Sequence, residues 1–181
     1  MKKRKILLGV TGSIAAHKAV DLASQLVKQG CEIHVVMTSD ALKFITPLPF
    51  KTLSRNPVIT SLYDESEEWK PAHIQLADEA HLLLIAPATA NSMAKLALGL
   101  ADNALTCIAL ALNASARVLI APAMNGQMWL HPATQENVAT LRARGVEFIG
   151  PETGMLSCGY EGIGRLWPVE KIAQRACEML A

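Results

Sequence analysis

The sequence is poor in aromatic side chains, in net charge and in long hydrophobic runs. Aromatics make up 4% of the residues against a hydrophobic fraction of 51%. The core is therefore mostly aliphatic, and so much apolar content in 181 residues points to surface buried between subunits. The net charge of +1 provides no electrostatic case for a nucleic-acid or acidic-membrane partner. No apolar run reaches the ~18 residues of a spanning helix. The opening Lys2-Lys3-Arg4-Lys5 is basic like a signal-peptide n-region, but the apolar run after it, Ile6 to Val10, is too short for an h-region. These features predict a cytoplasmic protein. Cysteine is scarce too. Cys31, Cys107, Cys158 and Cys177 show no metal-type spacing and no disulfide framework. The first two and the last sit in apolar segments and read as inert core, whereas Cys158 sits among glycines. No repeat, low-complexity tract or linker divides the chain, so residues 1–181 read as one domain.

What is present is an alternation of strands and helices. Residues 5–10 form a buried strand broken by Thr11-Gly12-Ser13. Residues 14–29 form a helix, because Ala15, Ala19, Leu22 and Leu26 recur on one face and Gly30 closes it. Residues 31–37 form the second strand, which completes a βαβ unit with a right-handed crossover. Thr38 caps a short helix to Phe44, and an irregular helical stretch runs from Pro47 to Asn56-Pro57. A loop spans 64–71 and a short helix 74–79. A third strand runs over 81–86. Helices over 90–98 and 103–112 carry only Lys95 as a charge, which predicts burial all round. A fourth strand at 117–121, a helix at 132–144 opened by Pro132, and a fifth strand at 146–149 follow. A glycine-rich loop fills 150–164, and a closing helix spans 169–180. The fold class is α/β: a three-layer, doubly wound parallel sheet of five or six strands, Rossmann-type and flavodoxin-like.

Five segments can carry chemistry. In Gly9-Val-Thr-Gly12-Ser13-Ile14, between strand and helix, free N–H groups and a hydroxyl suit a phosphate. The third glycine of a dinucleotide fingerprint is missing, and Thr38-Ser39 follow the second strand, which favours a mononucleotide. The same residues read equally as an ordinary tight turn. Ala86-Pro87-Ala88-Thr89-Ala90-Asn91 allows a flat ligand close approach, or simply caps a helix through Thr89. His73, in Ala72-His73-Ile74, can move a proton near neutrality. Cys158, in the glycine-rich loop, can donate a proton or attack. Last, Pro122-Ala-Met124-Asn125-Gly-Gln-Met128-Trp129 puts apolar residues and an amide beyond the end of a strand. They need a cover of core, ligand or partner subunit. No metal-ligand cluster stands out.

Taken in order, Gly12-Ser13-Ile14-Ala15-Ala16, Ala72-His73-Ile74, Ala86-Pro87-Ala88-Thr89-Ala90-Asn91 and Pro122 through Trp129 resemble the homo-oligomeric flavin-containing cysteine decarboxylases. Asp102-Asn103-Ala104-Leu105-Thr106 and the Cys158 loop match as well. The resemblance implies bound FMN, trimer-based assembly up to a dodecamer, and flavin sites between neighbouring subunits. It implies conversion of 4′-phosphopantothenoylcysteine to 4′-phosphopantetheine and carbon dioxide in coenzyme A biosynthesis. Many bacterial relatives carry a second domain that ligates cysteine to phosphopantothenate, so that ligase is the implied partner, as a separate chain or a further domain. By the same resemblance Gly12, Ser13, Ile14, Thr38, Ala88, Thr89 and Asn91 would bind the cofactor. Ser13 and Thr38 would hold its phosphate, and Ala88 and Asn91 would lie against the isoalloxazine. His73 would be the catalytic histidine, Cys158 the proton donor, and Asn125 and Met128 the contacts to the substrate's carboxylate end. His17 departs from the pattern, standing where relatives often carry tyrosine.

The implied chemistry accounts for such parts. A cysteine carboxylate cannot lose carbon dioxide easily, because the carbanion left behind has no electron sink. Oxidation at the carbon bearing sulfur, to a thioaldehyde, provides one; the flavin makes this reversible and the protein positions it. A neutral amide such as Asn125 holds the carboxylate without the ground-state stabilisation a lysine would add. A peptidyl-cysteine decarboxylase shares the histidine and the Met-Asn pair. Flavin prenyltransferase shares the fold, but His73 and Met124-Asn125 argue against it. A flavin-binding regulatory subunit that inhibits a phosphatase is the non-enzymatic alternative.

Overall fold

The structure is a computed structural model and describes residues 4–63, 71–155 and 159–181. Its centre is a parallel sheet of six strands: β1 (Lys5–Val10), β2 (Glu32–Met37), β3 (Val58–Ile59), β4 (Leu82–Ala88), β5 (Arg117–Pro122) and β6 (Glu147–Phe148). Their spatial order is β3-β2-β1-β4-β5-β6. β4 is buried at all seven positions and β1 at its last five, as expected of strands covered on both faces. The helices are α1 (Lys18–Lys28), α2 (Leu48–Ser54), α3 (Ala72–Glu79), α4 (Ala90–Leu98), α5 (Ala104–Ala111), α6 (Gly126–Leu130), α7 (Pro132–Ala143) and α8 (Val169–Glu178).

Two cores result. On one face of the sheet α1, α2 and α8 bury Ala19, Leu22, Leu26, Phe50, Ile172 and Ala176. On the other α3, α4, α5 and α7 bury Ala77, Met93, Leu105, Ile108, Val138 and Leu141. Each fully buried aliphatic side chain contributes about 1.5–3 kcal/mol. The apolar face read from residues 14–29 is the buried one. Its first turn, Ile14–His17, is a 3₁₀ turn rather than part of α1.

Several expectations need correction. The glycine-rich stretch 150–164 is not a plain loop. β7 (Glu152–Met155) and β8 (Glu161–Arg165) pair antiparallel as a hairpin, with Gly154 opposite Gly162. An antiparallel ladder needs only backbone groups, so a pair of glycines does not prevent it. β3 and α6 lie where irregular chain was expected. The 90–98 and 103–112 helices are not buried all round by this chain: Leu98 is 71% exposed, Leu110 66% and, between them, Leu100 53%. The missing charge marks an outward apolar face, not a second contact within the chain. His81 precedes β4 rather than opening it, and its Nδ1 accepts from Lys5 N–H. The loop expected over 64–71 lies, up to residue 70, outside the described residues.

Of the three described cysteines only Cys31 matches the inert-core reading; Cys107 and Cys177 are half-buried. Cys31 is buried with its sulfur 4.0 Å from that of Cys177. Burial and then Cys177 push the Cys31 thiol up to about 11. Cys107 donates to the Ala101 carbonyl.

Candidate cofactor and active site

The order in which strands are added to the parallel sheet reverses between β1 and β4. The chain leaves β1 for β2 on one side and β4 for β5 on the other. The loops beyond these two strands therefore part, and the crevice between them is where open α/β sheets bind ligands. Here it is a cleft of about 580 Å³. Gly12, Ser13 and Ile14 form one wall, with Thr38 and Ser39 beside them. Thr89, Ala90 and Asn91 form the second wall, and Met124, Asn125 and Met128 the third. Met155, Gly164, Arg165 and Leu166 close the side facing the hairpin.

Thr11 ties the two central loops together. Its side chain is fully buried. The hydroxyl donates to the Pro87 carbonyl at 2.7 Å and accepts from the Thr89 N–H at 3.0 Å. Thr11→Val keeps the shape but leaves that N–H and carbonyl unpaired. The expected loss is about 1–3 kcal/mol, read as a lower Tm, with weaker cofactor retention because both walls hang on this clamp. An unchanged Tm and unchanged flavin affinity would count against the clamp.

The end of the cleft at Gly12 is built by close approach. A β-carbon on Gly12 would stand 2.4 Å from Asp40 Cβ, so only glycine lets the loop after β1 meet the loop after β2. Ser13, buried, accepts from Ala15 N–H at 3.3 Å and starts the 3₁₀ turn. Thr38 accepts from Ala41 N–H at 3.3 Å, but in place of the expected helix to Phe44 stands a 3₁₀ turn, Ala41–Lys43, whose N-cap is Asp40. Lys43 holds the Asp40 carboxyl below its usual range. At the other end Asn125 caps α6, its Oδ1 accepting from Gln127 N–H at 2.8 Å. Trp129 is buried beneath in the second core, while Met128 is 50% exposed on the cleft side.

The cleft fits FMN on these observations. At the Gly12 end, the hydroxyls of Ser13 and Thr38 and the N–H groups of a helical turn are donors of the kind a phosphate takes. The second wall is made of small residues with one amide, Asn91, and Ile14 is an apolar side chain 58% exposed at the rim. The size falls in the ordinary range for cofactor sites. Of the sequence-derived candidates, Gly12, Ser13, Ile14, Thr38, Thr89, Asn91, Asn125 and Met128 converge here. Ala88 does not line the cleft: it is fully buried at the end of β4, with its carbonyl accepting from Ala123 N–H at 3.0 Å. His73 does not line it either. It sits in the first turn of α3, a helix that packs against α5. Cys158 lies outside the described residues. Asn103, Met124, Lys18 and Arg165 line the cleft but were not singled out as site residues. Asn103 had a cap signature, and its capping box with Thr106 is formed. Arg165 had only its place after Gly-Ile-Gly.

The cationic groups at the rim differ in how far they are committed. Lys95 bonds both Asp102 oxygens, at 2.9 and 2.7 Å, and holds that carboxyl below its usual range. His17 Nδ1 stands 2.8 Å from the Ile14 carbonyl; the carbonyl can only accept, so Nδ1 carries the proton. Lys18 makes no ion pair among the described residues.

Fold and cleft define a mononucleotide-binding α/β protein, and the chain belongs to the flavoprotein family, whose model matches residues 1–181. Among individual relatives, it is 46% identical to a probable phosphopantothenoylcysteine decarboxylase of Streptococcus mutans, covering 98% of this chain and 99% of that one. It is also 46% identical to the coenzyme A biosynthesis bifunctional protein CoaBC of Bacillus subtilis, covering 97% of this chain but 43% of that protein. Among solved structures it resembles a cysteine-to-serine mutant of PPC decarboxylase complexed with pantothenoylaminoethenethiol. The TM-score is 0.86 at 32% identity, with 99% of each chain covered.

Proposed function

We propose that this chain carries out the FMN-dependent decarboxylation of 4′-phosphopantothenoylcysteine to 4′-phosphopantetheine, a step of coenzyme A biosynthesis and hence a cytoplasmic one. The observation that carries this reading is the convergence of a phosphate cradle, Ser13 with Thr38, and the Asn125–Met128 pair in one cleft at the β1/β4 switch point. Among the described residues no helix is long and apolar enough to cross a membrane.

FMN supplies reversible two-electron acceptance at the carbon bearing sulfur. The residues do the rest. Ser13, Thr38 and the 3₁₀ turn orient the phosphate end. Asn125, whose Oδ1 accepts from Gln127 N–H, meets the substrate carboxylate through its side-chain amide. Met128 gives that carboxylate an apolar wall, which favours its loss as neutral carbon dioxide. With FMN bound, the thiol-bearing carbon would give up a hydride and the thiol its proton, leaving a thioaldehyde, and loss of carbon dioxide would leave an enethiolate. The hydride would return together with two protons, one to sulfur and one to carbon, against one released on oxidation, so the reaction consumes one proton net and no external reductant; the proton to carbon is the protein's to supply. Cys158 is assigned that proton. His73 moves the proton of the oxidative half. It reaches the cleft from a neighbouring copy of the chain, which also covers the apolar faces at Leu98 and Leu110. The ligase domain of the longer relatives is the natural partner that supplies the substrate.

The test is direct. The purified protein should be yellow, or become so with FMN, and should release phosphopantetheine detectable by mass spectrometry. A protein that takes up no flavin would end every flavin reading. A flavoprotein that decarboxylates a peptide ending in cysteine but not the pantothenoyl substrate would place it with the peptidyl enzymes.

A further inference from the structure

The cleft does not stop at the hairpin. His17, Lys18, Arg165 and Leu166 line it and also line a second groove of about 530 Å³. This groove runs between the start of α1 and the chain joining β8 to α8, past Asp21, Gln25, Glu152, Trp167 and Glu170. The junction of the two cavities is therefore flanked by Lys18 on one side and Arg165 on the other.

Arg165 is held in place but not neutralised. Its Nε stands 3.8 Å from Glu152 Oε2, near the outer limit of an ion pair, and its side chain is 49% exposed. It lies along the hairpin where residue 154 has no side chain; a β-carbon there would stand 3.2 Å from Nη1. Its neighbour Gly164 accepts from Met124 N–H at 2.9 Å, which places Arg165 beside the Asn125 segment rather than beside the phosphate cradle at Ser13 and Thr38. Lys18 carries no ion pair among the described residues. A phosphomonoester that reaches this junction from the cleft would meet both cations. An arginine fork pairs with it in a bidentate way, and a lysine adds a point charge.

We propose that Arg165, with Lys18 across the junction, binds the 4′-phosphate of the substrate and sets the preference for a phosphorylated pantothenoyl chain. This rests on the decarboxylase reading. FMN also carries a phosphomonoester, so the two sources must be separated. In the test, Arg165→Met and Arg165→Lys are compared with the unaltered flavin-loaded protein on 4′-phosphopantothenoylcysteine and on pantothenoylcysteine. The methionine variant is expected to raise KM for the phosphorylated substrate about 10–100-fold, the scale of a charge-assisted hydrogen bond, with kcat within about 3-fold. On the unphosphorylated substrate kcat/KM should move by less than about 3-fold, and lysine should restore part of the loss. Equal losses on both substrates, or no loss on either, would overturn the proposal. So would a matching fall in FMN affinity, which would assign Arg165 to the cofactor. Calorimetric titration with 4′-phosphopantothenate and pantothenate reads the same preference without turnover. If the protein acts on neither substrate yet prefers phosphopantothenate through Arg165, the decarboxylase reading fails and the phosphate site stands. If that preference is absent from the unaltered protein, the phosphate site fails.

Discussion

His73→Asn is expected to abolish phosphopantetheine formation, by 10²–10⁴-fold or more, while FMN remains bound. Asparagine keeps the hydrogen-bonding shape of one edge of the imidazole but cannot titrate near neutrality. His73 lines no part of the cleft in its own chain, so its loss should leave the flavin spectrum and affinity unchanged. α3 runs back against the parallel strands, so its first turn lies at their carboxyl edge, the edge that carries the cleft. On the proposed reading, a histidine there serves a site completed by a second copy. That makes a further result testable. Asn125→Asp keeps the α6 cap but sets a charge against the substrate carboxylate, and should be inactive on its own. Refolded together, the His73 and Asn125 variants should recover about a quarter of wild-type activity, the statistical share of interfaces with both residues intact. Full activity in His73→Asn would remove the histidine from the mechanism. No recovery in the mixture would place both residues in one chain's site.

Gly164→Ala should produce the largest loss of stability that a single methyl group causes in this chain. Gly164 has φ +137, and an added β-carbon would stand 2.1 Å from the Met124 carbonyl oxygen. That contact cannot be relieved by turning a side chain, because backbone meets backbone. Either the hairpin or the segment before Asn125 must move, and the Met124 N–H to Gly164 carbonyl bond goes with it. The expected cost is on the order of 2–4 kcal/mol, a fall in Tm of roughly 5–10 °C, together with at least tenfold slower turnover as the hairpin leaves the cleft. Gly145→Ala is the control: φ is +85 but the space around it is open, so it carries backbone strain alone. Equal effects of the two substitutions would show that the hairpin contact matters little.

Much of this was legible from local pattern. Strand β4 is a run of aliphatics because a parallel strand is covered on both faces, and Gly30 and Gly99 end helices where the left-handed conformation is needed. The candidates at Gly12, Ser13, Thr38, Asn91 and Asn125 sit at strand ends, and in a doubly wound sheet strand ends are brought together by topology. Where reading failed, the cause was non-local. The 150–164 stretch reads as a loop because backbone partners such as Thr153 and Ile163 are set by pairing across the hairpin, beyond any local period. Arg165 carries no motif of its own; the role proposed for it depends on Gly154 across the hairpin and on Lys18 at the start of α1. The apolar α4 and α5 looked buried because hydrophobicity says only that a face is covered, not by which chain.

Sequence alone determined the layer architecture, the order of the strands and helices apart from β3, α6 and the β7–β8 hairpin, and the chemical kinds of residue at the strand ends. These follow from side-chain period, turn residues and hydrophobic contrast, all of which act over a few neighbours. Only the tertiary structure decided that β1 and β4 part to open the cleft, that Thr11 clamps its two walls, that Ala88 stays beneath it, and that His73 lies away from it. Those outcomes depend on which strands become neighbours and how closely backbones approach. Both are set by packing the whole chain against itself.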